Sequence, residues 1–268
     1  MNFLDLTDKT MVVVGVANRR SVAYAIAKVL EEAGARIIYV VRDESVRTNI
    51  ARLVGDALVL CCDVEDEAQI AVTAAEIGRN CDAVHGLVHS IAFANYSNGF
   101  GAFHQTRRGD FLQAMQISCF SLVELVNHLK PYLHRQAAIV TISISTTRMA
   151  AENYGYMAPI KAALDSTVVF LAKSLSADSE IRVNAVGAGL LKTSASAGIP
   201  GYVDSYLYAE QLIPRRRALA TAEVADAAAF LLSPRASGIT AQTIIVDAGM
   251  SINYFDQALV KKATACSE

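Results

Sequence analysis

Seven short apolar runs, at 11–16, 36–41, 57–61, 83–89, 137–143, 182–186 and 243–246, alternate with segments of helical periodicity at 22–33, 45–53, 67–77, 108–133, 162–176 and 222–232. No other feature restricts the fold as much. Runs this rich in Val, Ile and Leu suit strands buried on both faces, and the intervening helices must do the burying. Strict alternation predicts an α/β fold, a doubly wound seven-stranded parallel sheet with helices on both faces. No linker, repeat or low-complexity break interrupts the pattern, so residues 1–268 read as a single domain. Two stretches, 95–107 and 187–204, exceed ordinary connections and are expected to be functional loops.

The first unit carries a ligand signal. Thr10 to Leu30 reads as a buried strand, a short turn and an amphipathic helix, the way a dinucleotide-binding unit begins. Gly15 permits a tight turn at the strand end. Ser21 suits an N-cap, and the amides of Ser21 and Val22 are expected to face an anion at the positive end of the helix dipole. The full three-glycine fingerprint is missing, and any buried strand followed by a helix would look similar.

A second signal is Tyr154, seven residues before Lys161 and just after an apolar run. On one helix, seven residues return to nearly the same direction, about −20° net, so the two side chains would share a face. A phenol beside an ammonium suits donation of a proton or hydrogen bond to a carbonyl becoming an enolate or alkoxide. An ordinary amphipathic helix would also contain such a pair.

Composition narrows the function classes. Hydrophobic residues make up 53% and charged residues 19%, enough for a large core. A net charge of −2 gives no sign of a nucleic-acid surface. No apolar run reaches the roughly 18 residues of a membrane span, and residues 1–8 lack a signal-peptide pattern. The five cysteines, Cys61, Cys62, Cys81, Cys119 and Cys266, show no metal-ligand spacing, and no metal is expected. These readings favour a cytoplasmic protein. His85 and His89 read as packed strand residues, and Arg215 to Arg217 as a solvated charge run.

Taken in order, Gly15 to Ala27, Cys62-Asp63-Val64, His89 to Ala94, Asn153 to Ala162, Ile181 to Ala185 and Ile245 to Gly249 resemble the short-chain dehydrogenase/reductases. Within that superfamily the chain is most similar to the enoyl-acyl-carrier-protein reductases of bacterial fatty-acid synthesis, from about Leu6 to Ser251. The resemblance implies a Rossmann fold, NADPH or NADH as cofactor, and an enoyl thioester substrate carried by acyl carrier protein. It also implies a homotetramer built on the helix over 108–133. Gly15, Ser21, Val22, Asp63, Val64, Ser90, Ile91, Ala92, Lys161 and Thr193 take cofactor-binding positions. Arg42, at the end of the second strand, gives a modest lean to NADPH, while Asp43 keeps NADH open. Tyr154 and Lys161 take the catalytic positions, and Phe93, Tyr154, Ile199 and Tyr202 are expected to line an acyl slot under a covering loop near 189–204.

Ketone-reducing members place the tyrosine four residues before the lysine, which here is Met157; the longer spacing marks reduction of a carbon–carbon double bond. Three departures accompany the resemblance. Ile144 stands where the family has a second tyrosine, with Ser143 and Ser145 on either side. Pro159 lies between Tyr154 and Lys161, tolerated if the helix starts near Ala158. Residues 198–208 lack the basic side chains that usually receive the acidic carrier. Two alternatives stay open: another reductase of the superfamily acting on a ketone or small molecule, and a nucleotide-binding protein with little catalysis.

Overall fold

Alternate strand residues divide the interior into two layers. Val12, Val14, Val40, Leu87 and Ile139 pack with one set of helices; Met11, Val13, Tyr39, Val88 and Val140 pack with the other. Side chains of a strand alternate faces, so both halves of each run must be apolar, and this is why the runs are continuous. The computed structural model describes residues 3–97, 99, 101–150, 154–193, 196, 199 and 201–265.

The strands are β1 (Thr10–Val14), β2 (Arg36–Val41), β3 (Val59–Cys61), β4 (Val84–His89), β5 (Leu133–Ile144), β6 (Arg182–Ala188) and β7 (Thr243–Val246). They form one sheet in the order β3-β2-β1-β4-β5-β6-β7, and every pairing is parallel. The predicted doubly wound sheet is therefore found. Chain order reverses between β1 and β4, which opens a crevice at their C-terminal ends.

Helices α1 (Val22–Glu32), α2 (Glu44–Val54), α3 (Glu67–Arg79), α4 (Arg108–Met115), α5 (Ser121–Leu129), α6 (Met157–Leu175), α7 (Tyr202–Leu212), α8 (Thr221–Leu232) and α9 (Gln257–Ala265) complete the described regular helices. Asp43 caps α2 by accepting the Val46 amide at 2.9 Å, and Asp66 caps α3 through the amides of Ala68 and Gln69. Pro159 falls in the first turn of α6, where its missing amide proton costs no intrahelical bond.

Several boundaries differ from the sequence reading. The expected continuous helix over 108–133 is broken by a π-helical turn at Gln116–Phe120 and ends in a 3₁₀ turn at Lys130–Tyr132 containing Pro131. β5 starts four residues early because Leu133 pairs with Val84, while exposed His134, Arg135 and Gln136 break the apolar pattern. Helix α6 begins at Met157, five residues before the periodicity suggested, so Tyr154 precedes the helix and does not share a helical face with Lys161. Helices α7 and α9 were not expected. Val203, Leu207 and Tyr208 on α7 stay exposed, and no buried residue marks α9. None of the described helices is long and apolar enough to cross a membrane.

A buried cation closes the β6 end of the sheet. Arg182 is 9% exposed and donates to the carbonyls of Leu231 at 2.7 Å and Ser233 at 2.9 Å, at the C-terminus of α8. The negative end of a helix dipole and the carbonyls at its terminus favour a charge there, although the Ser233 carbonyl also accepts the Ala236 amide at 3.2 Å. Arg182→Met should lower the unfolding free energy by about 1–3 kcal/mol, because the Leu231 and Ser233 carbonyls lose the guanidinium inside the fold. Urea unfolding with an unchanged slope and a lower midpoint is the expected result.

Candidate active site

The C-terminal ends of β1 to β4 bring most of the sequence-predicted cofactor residues to one sheet edge. Gly15 follows β1 with φ +103°, and a Cβ there would lie 2.2 Å from the carbonyl oxygen of Ser90. Only glycine lets the exits of β1 and β4 come this close. Ser90 in turn donates its amide to Val14 at 3.1 Å. Asp63 and Val64 follow β3; the Asp63 carboxylate takes the Glu65 amide, and Asp66 rather than Asp63 caps α3. Val64 is buried, and Ala92 lies exposed beyond Ile91.

Ser21 behaves differently from expectation. Its amide donates to Asn18 at 3.0 Å, and its hydroxyl accepts the amides of Ala17 and Asn18, each at 3.0 Å. The residue shapes the turn from within, because its amide and both hydroxyl lone pairs bond the loop backbone, which leaves only the O–H to donate outward. Of the expected pair, Val22 retains an amide with no intrahelical acceptor at the start of α1. Arg42 projects at the end of β2 with 70% side-chain exposure and pairs with Asp43 at 2.8 Å. The Val46 amide and then Arg42 hold the Asp43 carboxyl below its usual range.

Lys161 is 3% exposed, and its ammonium donates to Ile142 at 2.8 Å and Ile91 at 3.3 Å. It thus bridges the ends of β4 and β5 from α6. Burial lowers its pKa to about 8. Tyr154 is half-buried, and its hydroxyl makes no hydrogen bond to a described residue. Burial, then the neighbouring Tyr202, pushes its phenol above the ordinary range, so it stays protonated as a donor. No hydrogen bond joins Tyr154 to Lys161 among the described residues, and Lys161 is not among the groups that shift the phenol. The expected direct pairing is therefore absent, since the lysine donates to backbone instead.

Near the covering segment, Thr193 and Ser196 bond each other: the Thr193 amide donates to the Ser196 hydroxyl at 2.9 Å. Tyr202 donates to the Leu191 carbonyl at 2.8 Å and accepts the Leu191 amide at 2.9 Å, which leaves its hydroxyl fully engaged. Ile199 is half-buried, and Phe93 is 37% exposed. Residues 194, 195, 197, 198 and 200 of the expected covering loop lie outside the described residues, as do Asn153 and Cys266. Gly201 adopts φ +69° and starts α7.

The histidines pack as expected. His89 is fully buried between the hydroxyls of Thr141 at 2.8 Å and Ser121 at 2.9 Å, and burial, then Lys161, lowers its pKa to about 3. His85 stacks on His134. Arg215 pairs with Glu223, and Arg216 with Asp256, in keeping with a solvated charge run. Sequence reasoning missed Ser118, whose hydroxyl meets the backbone of Phe93, because a π-helical turn leaves no mark in residue spacing.

Residues 15–251 match the family model described as Enoyl-(Acyl carrier protein) reductase. An enoyl-[acyl-carrier-protein] reductase [NADH] from Nostoc sp. is 40% identical over 93% of this chain and 98% of its own length. The [NADPH] counterpart from Staphylococcus aureus is 35% identical over 92% of this chain and 98% of its own. The crystal structure of FabI from Candidatus Liberibacter asiaticus superimposes with a TM-score of 0.90 at 30% identity, over 94% of this chain and 98% of that one.

Lys161 makes stability depend on pH. Its folded pKa of about 8 lies below the ordinary 10.5, so between those values the unfolded chain binds more protons. The burial penalty is fully present below pH 8 and is relieved as pH rises toward 10.5. Lys161→Met removes this term. The stability of the variant relative to the parent should therefore fall by on the order of 2 kcal/mol between pH 7 and about pH 9.5, read from urea unfolding at both values.

Proposed function

Since this chain belongs to the enoyl-(acyl carrier protein) reductase family, we propose that it reduces the carbon–carbon double bond of an enoyl thioester, with Tyr154 and Lys161 as its working residues. The carrying observation is a half-buried phenol with no hydrogen-bond partner among the described residues, seven positions before a buried lysine that bonds the backbone at the ends of β4 and β5. When bound, a reduced nicotinamide supplies the hydride to the carbon two positions from the thioester carbonyl. Charge then develops on the thioester oxygen, where the Tyr154 phenol donates a hydrogen bond and a proton. Met157, four residues before Lys161, is buried and has no proton to give, which disfavours the ketone-reducing arrangement.

The residues fit a dinucleotide. Gly15, Ser90 to Ala92, and the start of α1 at Val22 border the crevice where strand order reverses, the place an open parallel sheet offers a nucleotide. Asp63 and Val64 would hold the adenine side, and Thr193 the far end. Lys161, which carries three N–H donors and gives two to carbonyls, would bond ribose hydroxyls with the third. For the acyl slot, Phe93, Tyr154, Ile199 and the ring of Tyr202 remain the candidates. We read the whole chain as one such unit, working in the cytoplasm.

An exposed Arg42 supports a lean to NADPH, although Asp43 competes for its guanidinium. A homotetramer is supported by Leu112, Phe120, Val169 and Phe170, which stay exposed on α4, the π turn and α6. Acyl carrier protein remains the carrier we propose, with weak steering: Asp204 is exposed on α7, Tyr206 is buried, and the nearby Lys192 lies over the Tyr206 ring at 4.4 Å.

Tyr154→Phe should lower turnover of a short enoyl thioester about a hundredfold while the cofactor Kd stays near normal. Full activity in this variant would move the proton source elsewhere. Lys161→Ala should damage both turnover and cofactor affinity. In the same binding assay, Arg42→Ala should weaken NADPH about tenfold and leave NADH nearly unchanged. An equal effect on both cofactors removes Arg42 from selectivity.

A further inference from the structure

Beyond β4 the chain leaves the sheet, yet side chains bond its backbone at Ile91, Phe93 and Asn95. Lys161 donates to the Ile91 carbonyl at 3.3 Å. The Ser118 hydroxyl accepts the Phe93 amide at 2.9 Å and donates to the Phe93 carbonyl at 3.1 Å. The Tyr156 hydroxyl accepts the Asn95 amide at 3.0 Å and donates to the Asn95 carbonyl at 3.3 Å. Residues 91, 93 and 95 are alternate positions. In extended backbone, the amide and carbonyl of one residue point to the same edge, and alternate residues share that edge. A single hydroxyl that accepts and donates can therefore replace the residue an antiparallel neighbour would supply.

We infer that Ser118 and Tyr156 are positioning residues for the reaction, whose hydroxyls replace a missing strand and fix the direction of Phe93 in the acyl slot. The inference rests on the reading of an enoyl thioester site given above. Both groups are held rigidly. Ser118 is fully buried in the π-helical turn, and an extra residue in that turn is the sort of distortion that re-aims a side chain. Tyr156 is 7% exposed, immediately precedes α6, and packs its ring 6.1 Å from Phe111. With its hydroxyl engaged on both Asn95 groups, Tyr156 is committed to the backbone and does not serve as a reserve proton donor for Tyr154.

Loss of either hydroxyl frees segment 91–95 and lets the Phe93 ring swing, which weakens substrate binding without touching the proton donor. Tyr156→Phe and Ser118→Ala, each in the full chain, should raise the KM for a short enoyl thioester about three- to tenfold at saturating cofactor, with kcat within about twofold. Ser118→Thr keeps a hydroxyl and should restore KM. Hydrogen exchange of the unliganded protein should show faster exchange at Asn95 in the first variant and at Phe93 in the second, with β4 amides unchanged. A hundredfold fall in kcat at constant KM for Tyr156→Phe would make it a proton source and overturn the inference. Unaltered KM and exchange would overturn it as well. If the parent turns over no enoyl thioester, the substrate reading fails; exchange at Phe93 and Asn95 then decides the clamp alone, supported if protection is lost and rejected if it is kept.

Discussion

The site depends on one buried ammonium. Lys161 reaches from α6 to the carbonyls of Ile142 and Ile91, which belong to the ends of neighbouring strands. Burying that charge is unfavourable, as its lowered pKa records, and two backbone carbonyls offset only part of the cost. The remaining N–H has no acceptor among the described residues. A charge held in this way both locks three elements together and stays poised for a further acceptor. Tyr154 gains from the same burial in the opposite sense, since a desolvated phenol keeps its proton.

The sheet was legible because its chemistry is written in the runs themselves. Val12 to Val14 and Ile139 to Val140 are buried on both faces, so no polar residue can interrupt them. Gly15 was readable for a related reason: a positive φ and a Cβ clash with Ser90 leave no other residue for that position. Other features depend on contacts remote in sequence. The Ser21 amide, expected to face an anion, bonds the Asn18 carbonyl instead, a contact set by the shape of the turn. Tyr154 and Lys161 seemed joined by a helical face, but α6 begins after Tyr154. Their separation of seven residues still identifies the family, although a shared helical face is not the reason.

The π-helical turn at Gln116–Phe120 shows what periodicity cannot reveal. The segment 108–133 has an acceptable helical pattern throughout, and one widened turn changes what its polar residues meet. Ser118 reaches Phe93 and Ser121 reaches His89, while Gln116, at the start of the turn, reaches the carbonyl of Glu65 at 3.1 Å. The loops after β3 and β4 are thereby tied to the same helical segment. Local propensity holds no trace of these contacts, because each joins groups at least 25 residues apart.

Asp43 serves two masters at the rim of the crevice. One oxygen takes the Val46 amide that opens α2, and the other holds the Arg42 guanidinium. The carboxylate that would set a preference between nucleotides is thus also the start of a helix. Replacing it with a residue that cannot accept the Val46 amide removes that cap. Any substitution at Asp43 therefore also acts on the first turn of α2. Serine or asparagine at that position offers an escape, because either can keep the cap while releasing the charge.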